Sequence, residues 1–224
     1  YLVLLKNIFN NGDERKTRNA VTKSLFGERL VFDLKDKFPL LTTKRMFLRG
    51  IFEELIWFFK GQTDSKLLED KKVNIWKWNS TQEFINSVGL PYREGDVGNM
   101  YGFQFLHAGA EYEGCDKDYT GNGFNQIEYC LNLLKTDKYS RRIIMSAWNP
   151  EQLNEMALPP CHVLSQFKVT NENELSCILY QRSGDIGLGI PFNIASYSFL
   201  THLLAKHCNL KAKEFIHFIG DAHI

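Results

Sequence analysis

The first sign of chemistry in this sequence is the run Leu158-Pro159-Pro160-Cys161-His162. Two prolines fix the backbone ahead of a cysteine, and strand-forming residues begin just after it. A thiol held at a rigid strand entrance suits a nucleophile, because its direction is set before any substrate arrives. The competing reading is a small packed hydrophobe, the usual lot of a cysteine outside a disulfide. A zinc deaminase would need a second cysteine three residues on, and Leu164 stands there.

Two further clusters could bind an anion and a base. Arg141-Arg142 precede one apolar run, and Arg182-Ser183 close another. A guanidinium fork matches phosphate oxygens in pairs, and a serine hydroxyl adds a donor; plain surface solvation is the alternative. Residues 181–193 (QRSGDIGLGIPFN) combine Gln181, the acceptor Asp185, three glycines and Asn193. An asparagine amide offers an acceptor beside donors, so it can read a carbonyl next to an N–H, as on uracil. Its local alternative is to cap the helix that follows Pro191. The glycines do not spell GxGxxG after a strand, which rejects a dinucleotide fold. Glu54 lies beside Trp57 among large apolar residues, where a carboxyl pKa rises toward a proton-relay role. The alternative puts it with Glu53 on a solvent face. His107, His202, His207 and His217 lack metal-ligand spacing; His162 and His223 matter through their neighbours.

Elements must hold these groups in place. Phe47, Ile51, Leu55 and Phe58 recur at helical spacing before Gly61, predicting a helix over 47–60 that carries Glu54. A short helix over 1–10 stops at Asn11-Gly12. Residues 13–23, polar and basic, read as a surface loop able to grip an anion. Leu30, Phe32 and Leu34 alternate as in a strand. Leu67-Leu68, Phe84-Ile85 and residues 125–136 mark helices, then 143–148, 163–169 and 175–180 have strand composition. Ile194, Tyr197, Leu200, Leu204 and Cys208 form one helical stripe after Pro191, and 215–219 is a last strand. Without regular βαβ alternation, repeats or an internal linker, the class is α+β: one domain over 1–224, with a large mixed or antiparallel twisted sheet flanked by helices.

Composition limits the partners. The chain has 224 residues, 44% of them hydrophobic, enough for one domain with a real core. A net charge of +1 gives no global attraction to nucleic acid or an anionic membrane. Five scattered cysteines without CxxC pairs argue against a disulfide framework and structural zinc, and for a reducing, cytoplasmic setting, with a nuclear or organellar copy left open. Apolar runs such as Ile56-Trp57-Phe58-Phe59 fall far short of a membrane span. The start at Tyr1 and the stop at Ile224 within a structured stretch lead us to expect a fragment at both ends.

Several motifs together resemble thymidylate synthase. They are FPLLTTKR (38–45), EELIWF (53–58), RRIIMSAWNP (141–150), ALPPCH (157–162), QRSGD (181–185), GLGIPFNIASY (187–197) and FIHFIGDAHI (215–224), in order along essentially the whole chain. The resemblance implies a homodimer packed through the sheet, using 5,10-methylenetetrahydrofolate as cosubstrate and no metal to methylate dUMP. It implies that Cys161 attacks C6 of dUMP, with its thiolate favoured by adjacent guanidinium charge. Arg182 and Ser183 would hold the phosphate, joined by Arg141 and Arg142 of the other subunit. Asn193 would bind the uracil edge, Gln181 would lie near the nucleophile, and Glu54 would organise proton transfer. Trp76, Asn79, Asp185, Leu188 and Phe192 would line the folate side. Tyr101 and His162 would be pocket residues, Asp185 would also count as catalytic, and His223 would approach the ribose.

The departures from the family pattern are local. A first phosphate loop usually reading DRTGTGT is KTRNAVTKS here, making Arg18 the expected equivalent arginine. GPVYGxQWR reads GNMYGFQFL, and the usual Asp after the IW pair is Lys77. The family's chains continue past DAHI with a tyrosine and a closing tail. Two rival classes remain: a pyrimidine hydroxymethylase, which Asn193 and Trp76 disfavour, and a weakly active nucleotide- or RNA-binding relative, which the net charge disfavours.

Overall fold

The computed structural model describes residues 1–17 and 20–224. The chain groups into two compact units. The first comprises Tyr1–Met46, Leu134–Ile143 and Cys161–Ile224; the second comprises Phe47–Leu133 and Ile144–Pro160.

The first unit is built on a sheet. Helix α1 (Leu2–Asn11) leads into β1 (Asp13–Lys16) and the long β2 (Val21–Asp33). These two form an antiparallel hairpin with Asp13 opposite Ser24 and Lys16 opposite Val21. The expected loop over 13–23 is therefore largely strand. Val21 and Thr22 favour extended backbone, and an exposed edge hairpin needs no apolar alternation to form. After β4 (His162–Val169) and β5 (Glu174–Asp185), helix α7 (Gly189–His207) returns the chain to β6 (Lys211–His223). Among the strands of this unit the order is β1-β2-β6-β5-β4. β6 lies antiparallel to β2 and parallel to β5, and β4 lies antiparallel to β5. A parallel neighbour demands a crossover, which α7 supplies.

Side-chain alternation then sorts the strands' residues. On β5 and β6, Cys177, Leu179, Phe215 and Ile219 are fully buried on the face that α7 covers. Ile190, Ile194, Leu200 and Leu204 of α7 are buried as well, and Tyr197 stacks on Phe215 at 6.1 Å. Each such side chain contributes about 1.5–3 kcal/mol of burial. Tyr180 and Phe218 point to the other face and stay 41% and 38% exposed. β5 also extends past the predicted 175–180 to Asp185, because β6 pairs with it as far as His223. Arg182 and Ser183 thus lie within a strand, where expectation had them closing one.

The second unit is mainly helical: α2 (Leu48–Phe59), α3 (Lys66–Glu69), α4 (Gln82–Ser87), α5 (Gly102–His107) and most of α6 (Gln126–Thr136), with the short strand β3 (Ile144–Ser146). α2 matches the predicted 47–60 helix. It packs against α5, with the Phe58 ring 4.9 Å from Tyr101 and edge-on to Phe105. α5 has only six residues, too few for a periodic pattern in the sequence.

Candidate functional site

In the first unit Cys161 immediately precedes β4. Its carbonyl accepts the Arg182 backbone N–H at 3.0 Å, and Nη2 of the same arginine lies 3.7 Å from the Cys161 Sγ. One residue of β5 therefore fixes the thiol's backbone and sets a positive charge beside its sulfur. A bulge between His162 and Leu164 turns the start of β4, a common device beside reactive groups. The guanidinium charge favours the thiolate, as expected from the sequence, but burial outweighs it and pushes the thiol above its ordinary value.

Beside the thiol runs a chain of neutral groups. His217 Nε2 is 2.9 Å from Gln181 Oε1, and Gln181 Nε2 donates to the Ser183 carbonyl at 3.0 Å and to Asn193 Oδ1 at 3.1 Å. Asn193 Nδ2 then lies 2.8 Å from His162 Nε2. The directions follow from the donors available: an amide oxygen only accepts, so His217 Nε2 carries hydrogen and His162 Nε2 does not. Burial holds both imidazoles neutral, lowering His162 to about 4 and His217 to about 3. Asn193 therefore does not cap its helix, since Leu188 holds the cap position and the amide is turned to Gln181 and His162.

An open cleft of ≈ 480 Å³ borders this group, lined by Arg182 and Ser183 with Arg15, Thr22, Ser24 and His223. With Thr17, which also lines it, the cleft offers two guanidinium groups and four hydroxyls, the donor set of a phosphate site, beside the Asp221 carboxylate. Sequence reading missed Arg15 because the hairpin was taken for a loop. β1 is exposed along its whole length, so no alternation marked it in the sequence. Arg18, the expected loop arginine, lies outside the described residues. His223 Nδ1 pairs with Asp221 at 3.0 Å. Asp185 accepts the Leu188 N–H at 2.8 Å, and Leu188 is 67% exposed. Half-buried Phe192 carries Lys44 Nζ 5.8 Å from its ring centre. Arg141 and Arg142 are exposed, and among the described residues their guanidinium groups take part in no ion pair within the chain.

The second unit carries its own group. Glu54 is buried on α2 and accepts the Trp76 indole N–H at 2.7 Å. Burial raises its carboxyl to about 7, against the opposing pull of that hydrogen bond. This removes the solvent-face alternative. Tyr101 is buried edge-on to Trp76 at 6.0 Å, and Asn79 is half-buried in a 3-10 turn (Lys77–Asn79). A carboxyl that titrates near neutrality beside an indole and a phenol is suited to moving protons. So the first unit assembles Cys161, His162, Gln181, Arg182, Ser183 and Asn193, and the second assembles Glu54, Trp76 and Tyr101. No disulfide joins the five cysteines, and no helix of the described residues is long and apolar enough to cross a membrane.

Comparison with known proteins converges on one family. The sequence model described as Thymidylate synthase matches residues 1–224. The whole chain is 55% identical to the thymidylate synthase of Human herpesvirus 8 type P (isolate GK18), covering 67% of that protein. It is 51% identical to the thymidylate synthase of Candida albicans, covering 78%. It is also 53% identical to the bifunctional dihydrofolate reductase-thymidylate synthase of Paramecium tetraurelia, covering 49%. The chain thus spans about half the length of such bifunctional relatives.

Proposed function

Because the chain belongs to the thymidylate synthase family, we propose that it converts dUMP to dTMP with 5,10-methylenetetrahydrofolate, leaving dihydrofolate. The observation that carries this reading is the Cys161 thiol beside the Arg182 guanidinium and the ordered amide of Asn193. In this reading Cys161 adds to C6 of the pyrimidine, and electron density moves to C5 and O4. Asn193 holds the uracil edge through its remaining N–H and lone pair. Arg182, Ser183 and Arg15 take the phosphate, His223 approaches the ribose, and Arg18 belongs to the same anion site. Glu54, with Tyr101 and His162, handles the protons exchanged at O4 and C5. The folate supplies the one-carbon unit and then a hydride, after which Cys161 leaves C6 as thiolate.

Asp185 as an acceptor, with exposed Leu188 and half-buried Phe192 near it on the chain, fits a flat heteroaromatic ring with N–H donors. In this reading Trp76 and Asn79 also take part in folate binding. The exposed sheet face with Tyr180, Phe218 and Val31 supports a homodimer packed through it, each partner contributing Arg141 and Arg142 to the other's phosphate site. Residues 1–224 act in this reading as one catalytic domain, in the reducing cytoplasm that reduced cysteines suit.

Release of tritium from 5-tritiated dUMP, with identification of the product, tests the reaction. We expect dTMP and dihydrofolate in equal amounts; 5-hydroxymethyl-dUMP as the main product would overturn the reading.

A further inference from the structure

His217 has no part in the reaction just described, yet it is fully buried, with Nδ1 unpartnered and Nε2 committed to Gln181. An imidazole on the apolar face of β6, between Phe215 and Ile219, forgoes hydration that a hydrocarbon side chain would not miss. We propose that His217 is a positioning residue for base recognition: it pins Gln181, Gln181 pins Asn193, and the Asn193 amide is thereby fixed in the orientation that accepts uracil and refuses cytosine.

The argument follows the hydrogens. Both hydrogens of Gln181 Nε2 are spent, on the Ser183 carbonyl and on Asn193 Oδ1. Asn193 Oδ1 is therefore the acceptor facing Gln181, and Nδ2 is the donor facing His162. One Nδ2 hydrogen and one Oδ1 lone pair remain, at fixed places. Uracil presents N3–H and O4, which these two satisfy. Cytosine presents an N3 lone pair and an N4 amino group, which they satisfy only if the amide turns over. Turning it sets Nδ2 against Gln181 Nε2 and Oδ1 against the lone pair of His162 Nε2. Relieving both clashes takes a hydrogen moved onto His162 Nε2 and Gln181 turned as well, which sets its amino group on the N–H of His217 and its oxygen on the carbonyl of Ser183. The backbone carbonyl and His217 are the two stops, and His217 is the one a substitution can remove.

The proposal rests on the reading that Asn193 binds the pyrimidine edge, so the test separates the two. His217→Phe keeps a ring of similar size and loses the donor; His217→Gln places an amide nitrogen where Nε2 stands. Dissociation constants for dUMP and dCMP, measured by calorimetry with kcat and KM for dUMP, should show three things. His217→Phe should narrow the preference for dUMP over dCMP about tenfold, the size expected for one buried acceptor left unpaired. KM for dUMP should rise more than kcat falls. His217→Gln should recover most of the preference. His217→Met, also without a donor, carries the same comparison if the phenylalanine variant fails to fold. An unchanged dUMP-to-dCMP ratio in a folded donor-free variant, or equal loss for both nucleotides, overturns the proposal while leaving Asn193 its role. If Asn193→Ala leaves dUMP binding unaltered, the reading of Asn193 falls and the proposal with it.

Discussion

Glu54 is a carboxyl that the unfolded chain would ionise near pH 4.5 and the folded protein holds protonated to about 7. Between those values the folded state keeps a proton that the unfolded state has released, so stability falls as pH rises from 4.5 to 7. Above pH 7 the protein carries a buried charge relieved by one indole hydrogen bond. The difference of about 2.5 pH units corresponds to about 3 kcal/mol. Glutamine at position 54 has the shape of the protonated acid and still accepts from Trp76, but it never ionises. Glu54→Gln should therefore be more stable than the parent by about 3 kcal/mol at pH 8, and equal to it at pH 4. The assay is urea unfolding of both proteins across pH 4–8. The difference between the curves, not the parent curve alone, isolates Glu54, since buried His162 and His217 act in the opposite sense. Turnover by Glu54→Gln should fall meanwhile, as stability and function trade at a site built on a disfavoured ionisation. A constant offset between the two stability curves over that range would refute the reasoning.

Four further outcomes follow from the same geometry. Cys161→Ser should lose turnover by at least about a thousandfold and form no covalent adduct with 5-fluoro-dUMP and the folate, as read by mass spectrometry. Arg182→Met should slow alkylation of Cys161 by iodoacetamide at pH 8, since it removes the charge that opposes burial. Gly220→Ala puts a Cβ 2.7 Å from the Arg182 carbonyl and should cost about 1–3 kcal/mol in thermal or urea unfolding. Acid should weaken the amide chain, because the unfolded state binds protons below pH 6.5 that His217 refuses until about 3. His217→Gln should therefore reduce the stability lost between pH 7 and 4 by about 3 kcal/mol in urea unfolding.

The long apolar periodicities read directly as structure. Helix α2 and the stripe of α7 appear in the sequence because their buried faces must repeat every three or four residues. Strand ends did not read, because pairing with a neighbour, not composition, carries β5 on to Asp185 and starts β2 at Val21. At the site, residue types pointed to Cys161, Arg182 and Asn193, while their coupling needed registry between strands far apart in sequence. His217 shows the limit. It stands two residues from Phe215 and from Ile219, so period two alone places it on the buried face. Only the fold reveals that Gln181 is there to receive it.

The strand order has a consequence for how the protein is made. β6 leaves the ribosome after β1, β2, β4 and β5, yet it lies between two of them, bonded to β2 on one side and β5 on the other. Until it arrives, the β1–β2 hairpin and the β4–β5 pair each present an unsatisfied edge, the feature that recruits strands from other chains. The parallel half closes through the α7 crossover, a non-local pairing that is slow by nature. Synthesis thus passes through an interval in which two open edges await one late strand, and that interval is when the chain is most exposed to aggregation and most dependent on chaperones.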